Sequence, residues 1–140
     1  MSLPIWMLLG FAVWTLLLLL LTVGIYRWSR ILSGKAEIKE FRADVVDGSE
    51  WYRQSMRAHA NCVENLPVFG AIVFALHASG ISSSAANLMA VVVLLARVCQ
   101  SVTHVAFPQT NRVVFIRFLF FFVQLLCFAG MAIVVVSGSL

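Results

Sequence analysis

The residues best suited to chemistry lie in the segment 57–67, which reads Arg-Ala-His-Ala-Asn-Cys-Val-Glu-Asn-Leu-Pro. On a helix with 100° between successive residues, Arg57, Asn61 and Glu64 fall within about 60° of one another. No Asp, Glu, Lys or Arg occurs at residues 66–96, so this polar segment stands at the entrance of an apolar stretch. An ionisable side chain inside a membrane costs on the order of a few kcal/mol unless it is paired, and it therefore marks a candidate functional site.

Two later apolar stretches carry polar side chains at a comparable depth. Arg97, Ser101 and His104 share one helical face, and Arg117 lies near the start of the last stretch. From the helical rise, Glu64, Arg97 and Arg117 lie roughly 10, 14 and 7 Å from the same membrane boundary. We therefore predict that Glu64 pairs with Arg97, because an unpaired embedded charge would be costly. The arginines outnumber the single embedded carboxylate, which favours an anionic ligand that Arg can bind bidentately.

Four apolar stretches must position these groups, at about residues 4–26, 57–78, 85–106 and 113–136 of one membrane domain, 1–140. The chain is 61% hydrophobic and only 11% charged, against about 25% charged residues in soluble domains. Each stretch is about 20 residues long, enough for a helix to cross the hydrocarbon core, and helices satisfy their own backbone hydrogen bonds there. The sequence therefore predicts an all-α integral membrane protein, a four-helix transmembrane bundle in contact with membrane lipids. The first stretch lacks the basic start and cleavage site of a signal peptide, so we expect it to be retained.

The distribution of charge predicts the orientation in the membrane. The net charge is +4, and most of the basic residues lie in the first loop. They are Arg27, Arg30, Lys35, Lys39, Arg42 and Arg53. The second loop has no charge, and Arg112 lies in the third. The positive-inside rule then places the first and third loops in the cytoplasm and both termini outside. The charge thus indicates orientation, and we expect no nucleic-acid partner.

Simpler explanations exist for several of these residues. Arg57 and Arg112 could be interfacial anchors that extend to the lipid headgroups. His59 and His104, near helix ends, are typical of hydrogen-bonded polar residues without a ligand. The cysteines show no Cys-x-x-Cys or Cys/His spacing, so we interpret them as packing residues and expect no metal site. They are Cys62, Cys99 and Cys127.

The pattern Arg57-Ala-His-x-Asn61 with Glu64-Asn-x-Pro67, followed by Ala96-Arg97-Val, resembles the MAPEG family, membrane-associated proteins in eicosanoid and glutathione metabolism. The resemblance covers essentially the whole chain in span number, spacing and polarity. It implies a four-helix protomer in a homotrimer, with glutathione bound between neighbouring subunits in the cytoplasmic half of the membrane. The similarity to bacterial-type members implies a bacterial inner membrane.

The resemblance also implies roles for individual residues. Arg57, Asn61 and Glu64 match the stripe that contacts glutathione in the family, and Arg97 matches the arginine paired with that glutamate. Arg27 aligns with a further glutathione contact.

Two arginines compete for the catalytic role that the resemblance implies. Arg112 aligns with the arginine that stabilises the thiolate, and Arg117 is its rival because it lies deeper in the apolar stretch. His104 stands where eicosanoid-type members carry a tyrosine, and we include it among the predicted glutathione-binding residues.

The departures from the family pattern narrow the expected activity. Ala60 replaces a basic residue, and Val113 and Ile116 replace hydroxyl residues, which argues against eicosanoid chemistry. The leading hypothesis is a glutathione-dependent transferase or peroxidase acting on lipophilic electrophiles, with Arg112 or Arg117 holding the thiol as a thiolate. The alternative is a non-enzymatic lipid- or amphiphile-binding protein of the same fold. A small multidrug exporter is disfavoured because residues 1–26 contain no carboxylate.

Overall fold

The computed structural model describes residues 1–42 and 44–139. Over these residues the chain forms four long helices and no strand. The helices are α1 (Leu3–Leu32), α2 (Glu50–Ala78), α3 (Ser84–Ala106) and α4 (Asn111–Gly138). All four are long and apolar enough to cross a membrane. The prediction of an all-α membrane bundle is confirmed.

The helices begin and end at signals that are local in the sequence. Three of the four start at a hydroxyl side chain that accepts a hydrogen bond from a backbone N–H three residues later. These pairs are Ser49 with Tyr52 at 3.2 Å, Ser83 with Ala86 at 3.3 Å and Thr110 with Val113 at 3.3 Å. After α2 the chain turns at Gly80, whose φ of 64° lies in the left-handed region that favours glycine.

All four helices are longer than the apolar stretches that predict them, and two of them extend well beyond those stretches. α1 continues past residue 26 to Leu32, and α2 begins at Glu50 rather than near residue 57. The last turns of α1 and the first turns of α2 are polar. Because an apolar pattern does not include polar helical turns, hydrophobicity alone could not predict where these two helices end and begin. How much of each helix lies within the membrane stays a prediction.

α1 contains a π-helical stretch, Leu19–Gly24, between α-helical segments over Leu3–Leu18 and Ile25–Leu32. In this stretch the Thr22 hydroxyl donates to the Leu18 carbonyl oxygen at 2.5 Å. A π-helical turn is wider than an α-helical turn and changes the direction in which the following side chains point. The side chains that follow it contact the start of α2.

The apolar core packs the helices against one another in the middle of the bundle, and this packing fixes where their polar faces lie. The Phe69 ring of α2 lies 5.7 Å from the Phe11 ring of α1 and 5.9 Å from the Phe128 ring of α4, measured between centroids. α3 and α4 approach closely, because a Cβ atom added at Gly130 would lie 2.6 Å from the Met89 sulfur. Many large apolar side chains outside this core are exposed, including Leu16, Phe74 and Leu126, as contact with lipid requires.

Candidate functional site

A cavity of about 300 Å³ lies between α2, α3 and α4 and brings together four of the predicted site residues. These are Arg57, Asn61, His104 and Arg117. Gln100 and Gln109 add polar groups, and Val114, Phe118 and Phe121 supply apolar surface. The volume is at the lower end of the range of about 300–1,000 Å³ that ligand pockets occupy. Residues predicted from their spacing on three separate helices therefore lie around one cavity.

Arg117 is the buried arginine of this cavity. It lies in the second turn of α4 and is only 6% exposed. Its Nε and Nη2 atoms are buried and have no hydrogen-bond partner among the described residues. Neither ion pair in the described ranges involves Arg117. Unpartnered buried donors are unfavourable, and Arg117 lines the cavity, so a ligand that brings an acceptor to this guanidinium would be stabilised.

Asn61 and His104 connect α2 to α3 on another wall of the cavity. Asn61 Nδ2 lies 3.4 Å from His104 Nε2, and Asn65 Nδ2 donates to the Asn61 backbone oxygen at 2.8 Å. If the amide donates to Nε2, the imidazole proton resides on Nδ1. That Nδ1 atom is buried and has no partner within the described part of the chain, so it can serve as a further donor.

Arg57 links the site to the connection between α3 and α4. The Arg57 side chain is exposed, and its Nη1 atom donates to Gln109 Oε1 at 2.9 Å. Gln109 follows Pro108 and precedes α4. Sequence reasoning did not identify Gln109, because a polar residue after a proline is what any connecting turn would show.

Behind the cavity wall, two glutamines join α3 to α4. Gln124 Nε2 donates to Gln100 Oε1 at 3.0 Å and to the Phe120 backbone oxygen at 2.9 Å. Both glutamines are buried. They were not among the predicted site residues, and the available signal was a neutral polar side chain inside an apolar span.

The predicted ion pair between Glu64 and Arg97 is wrong for the single chain. Arg97 is 0% exposed, and its guanidinium lies 5.4 Å from the centroid of the Phe11 ring on α1. Its Nε and Nη2 atoms are unpartnered among the described residues. Glu64 is exposed on the surface of α2. Similar depth in the membrane is therefore insufficient, because the rotation of each helix about its axis decides which side chains meet.

Arg27 lies outside the cavity, where it joins the end of α1 to the start of α2. Its Nε atom donates to Tyr52 Oη at 2.9 Å, and its guanidinium lies 5.5 Å from the centroid of the Phe41 ring. The Tyr52 ring stacks on Tyr26 at 4.2 Å. Arg112 is exposed and is not among the residues that line the cavity.

The cysteines do not form a reactive cluster in the described ranges. Cys62 is buried, with its sulfur 3.5 Å from the Ser101 hydroxyl, while Cys99 is exposed and Cys127 is half-buried. All three are free. Across the described residues, no group of three or more His, Cys, Asp and Glu side chains could hold a metal ion.

Comparison with known proteins gives one finding. The family model described as MAPEG family matches residues 4–137. No curated protein and no solved structure matches the chain significantly. The matched range includes all the residues that line the cavity and nearly the full length of the four helices.

Proposed function

The chain belongs to the MAPEG family, and from that premise we propose that it is a glutathione-dependent transferase or peroxidase acting on lipophilic electrophiles. The observation that carries the proposal is the cavity between α2, α3 and α4, which is lined by Arg117, a buried arginine whose Nε and Nη2 atoms have no acceptor within residues 1–42 and 44–139. A site of this kind selects an anionic, acceptor-rich ligand.

The cavity residues fit glutathione in charge and in hydrogen bonding. Family members commonly use glutathione as substrate or cofactor, and this tripeptide carries two carboxylates, two amide groups and a thiol. The Arg117 donors and the side chains of Asn61 and His104 offer complementary groups. A second cavity, of about 320 Å³, is also lined by Arg57, together with Arg53. A ligand larger than the first cavity could therefore extend past Arg57.

The proposed chemistry uses the positive charge of the site. Bound glutathione would supply a thiol whose sulfur forms a bond to the electrophilic carbon, while the leaving group departs with the electron pair and the thiol proton passes to water. Arg117 would stabilise the negative charge on sulfur, as nearby cations do for thiolates. We assign this role to Arg117 rather than Arg112, because Arg117 is buried beside the cavity and Arg112 is exposed outside it.

The remaining predicted ligands require an assembly. In the proposed homotrimer, glutathione would lie between subunits, with Asn61 and Glu64 holding its amide and amino groups. Glu64, Arg97 and Arg27 do not line the cavity of the single chain, so their contribution would depend on a neighbouring subunit. The basic first loop supports a cytoplasmic location for the site in a bacterial inner membrane, with both termini outside.

Two measurements on the purified protein in detergent test this proposal. Calorimetric titration should show glutathione binding, and a chlorinated dinitrobenzene should be converted to its glutathione thioether. Arg117→Met should lose most of both signals. Arg30→Met is a matched control, because the Arg30 guanidinium lies 5.4 Å from the Tyr26 ring and lines a different cavity. Absence of both binding and conjugation in the natural sequence would refute the proposal.

A second candidate function is the binding of an amphiphile without catalysis. It is favoured by an apolar groove of about 210 Å³ between α1 and α3, lined by residues that include Trp14, Leu18 and Val105. Two hydroxyl residues also line the groove, but Thr22 and Ser101 donate to carbonyl oxygens of their own helices. Lipid retained through purification, together with no thioether formation, would favour this function over the first.

A further inference from the structure

Gln124 forms a buried contact directly behind the wall of the cavity. Its side chain is 0% exposed, and its Nε2 atom donates to both Gln100 Oε1 and the Phe120 backbone oxygen. Gln100 is 4% exposed and lines the cavity, whereas Gln124 does not. Gln124 therefore has no direct contact with the cavity, and its hydrogen bond to Gln100 connects it to the cavity wall.

The backbone of α4 determines which way both amides point. The Phe120 carbonyl oxygen can only accept a hydrogen bond, and it lies four residues before Gln124 on the same helix. The Gln124 NH2 group must face it, because the opposite orientation would place two acceptor oxygens together. The same NH2 group reaches Gln100 Oε1 at 3.0 Å. The Gln100 oxygen is thus directed toward Gln124, and the Gln100 NH2 group is left available to the cavity.

This orientation makes one side of the cavity a surface of donors. Arg117 contributes its guanidinium, since Arg117 lines the cavity, and Gln100 adds its NH2 group. Without Gln124, the Gln100 amide could rotate by half a turn and present its oxygen to the ligand, since the two ends of an amide have nearly the same shape.

We infer that Gln124 is a positioning residue that holds Gln100 with its NH2 group toward the cavity, and thereby selects an acceptor group of the ligand. The inference deepens the proposed function and rests on it. The group selected would be a carboxylate or the thiolate of glutathione.

A double-mutant cycle tests the inference, with glutathione affinity measured by calorimetry in detergent. Gln124→Met and Gln100→Met should each weaken binding about tenfold, the lower end of the effect of one hydrogen bond to a charged group. The double variant should bind no more weakly than Gln100→Met alone, because Gln124 acts through Gln100. Gln54→Met is the matched control. Gln54 is also buried and donates to Glu50 Oε1 at 3.2 Å away from the cavity, so its replacement should leave affinity unchanged.

Should Gln124→Met fail to fold, the nearly isosteric Gln124→Glu takes its place. Its carboxyl oxygen would attract the Gln100 NH2 group away from the cavity, so binding should again weaken. Unchanged affinity in the Gln124 variant, or an equal further loss on top of Gln100→Met, would overturn the inference and leave the proposed function standing. No glutathione binding by the natural sequence would overturn both.

Discussion

Replacing Arg117 with methionine should raise the stability of the ligand-free protein while weakening the binding of glutathione. Methionine keeps an unbranched apolar side chain and removes the guanidinium. Arg117 is 6% exposed, and two of its buried nitrogen atoms have no partner in the described part of the chain. Each unsatisfied buried donor costs about 1–3 kcal/mol. We expect the free energy of unfolding of the ligand-free variant to rise by about 1–3 kcal/mol, since removal of an unpartnered buried charge is favourable.

The same change should also weaken the binding of glutathione. A hydrogen bond to a charged group contributes about 1.5–3 kcal/mol, so losing one such bond to Arg117 corresponds to a loss of about 10- to 100-fold in affinity. Thermal unfolding with and without glutathione measures both effects on one sample. A ligand at 100 times its Kd stabilises a protein by about 2.7 kcal/mol. The Arg117→Met variant should therefore unfold at a higher temperature alone and gain little from glutathione at that concentration.

The competing arginine and a control outside the site make this result interpretable. Arg30→Met should retain the full stabilisation by glutathione. If Arg112→Met abolishes that stabilisation and Arg117→Met does not, the assignment of the thiolate-stabilising role to Arg117 is wrong. A lower unfolding temperature of ligand-free Arg117→Met would refute the reasoning about its unpartnered donors.

Three further predictions concern other parts of the chain. Arg97→Met should leave the ligand-free stability unchanged or higher in thermal unfolding, because Arg97 is fully buried and its Nε and Nη2 atoms have no hydrogen-bond partner among the described residues. A loss of about 3–5 kcal/mol would instead indicate a carboxylate partner in the assembly. Gly48→Ala should destabilise the protein by about 1–3 kcal/mol in the same assay, since φ is 151° and the new Cβ would lie 2.8 Å from Tyr52 Cδ1. Hydrogen bonds from Arg42 lower the pKa of Asp44. This loop contact should therefore persist at neutral pH and be lost only as the pH falls through that lowered pKa. An NMR titration midpoint of Asp44 at or above about 3.9 would contradict this.

The helices and part of the site could be predicted because their signals are local or periodic. Length and hydrophobicity identify four helices, and the hydroxyl residues that begin three of them need only the next few residues. The helical period places Arg57 and Asn61 on one stripe, and the helical rise places that stripe near the depth of His104 and Arg117. These four residues do line one cavity, because depth along a helix follows from position in the sequence.

Which side chains contact one another at that depth could not be predicted in the same way. Similar depth in the membrane predicted that Glu64 pairs with Arg97. In the tertiary structure the Arg97 guanidinium lies near the Phe11 ring, and Glu64 is exposed on the surface of α2. The π-helical stretch of α1 precedes Arg27, which binds Tyr52 rather than lining the cavity. No hydrophobic pattern encodes such a change of direction.

By itself, the sequence determined the class of the protein, its four helices and the depth in the bundle at which the embedded charged side chains lie. Only the tertiary structure decided that Arg117 is buried, with two donors that no described residue accepts, that Gln109 contacts Arg57 and that Gln124 donates to the Gln100 amide oxygen. The physical reason is that hydropathy and spacing specify position along a helix. The rotation of each helix about its axis is determined by the packing of the whole bundle, including close contacts such as that of Gly130 with Met89.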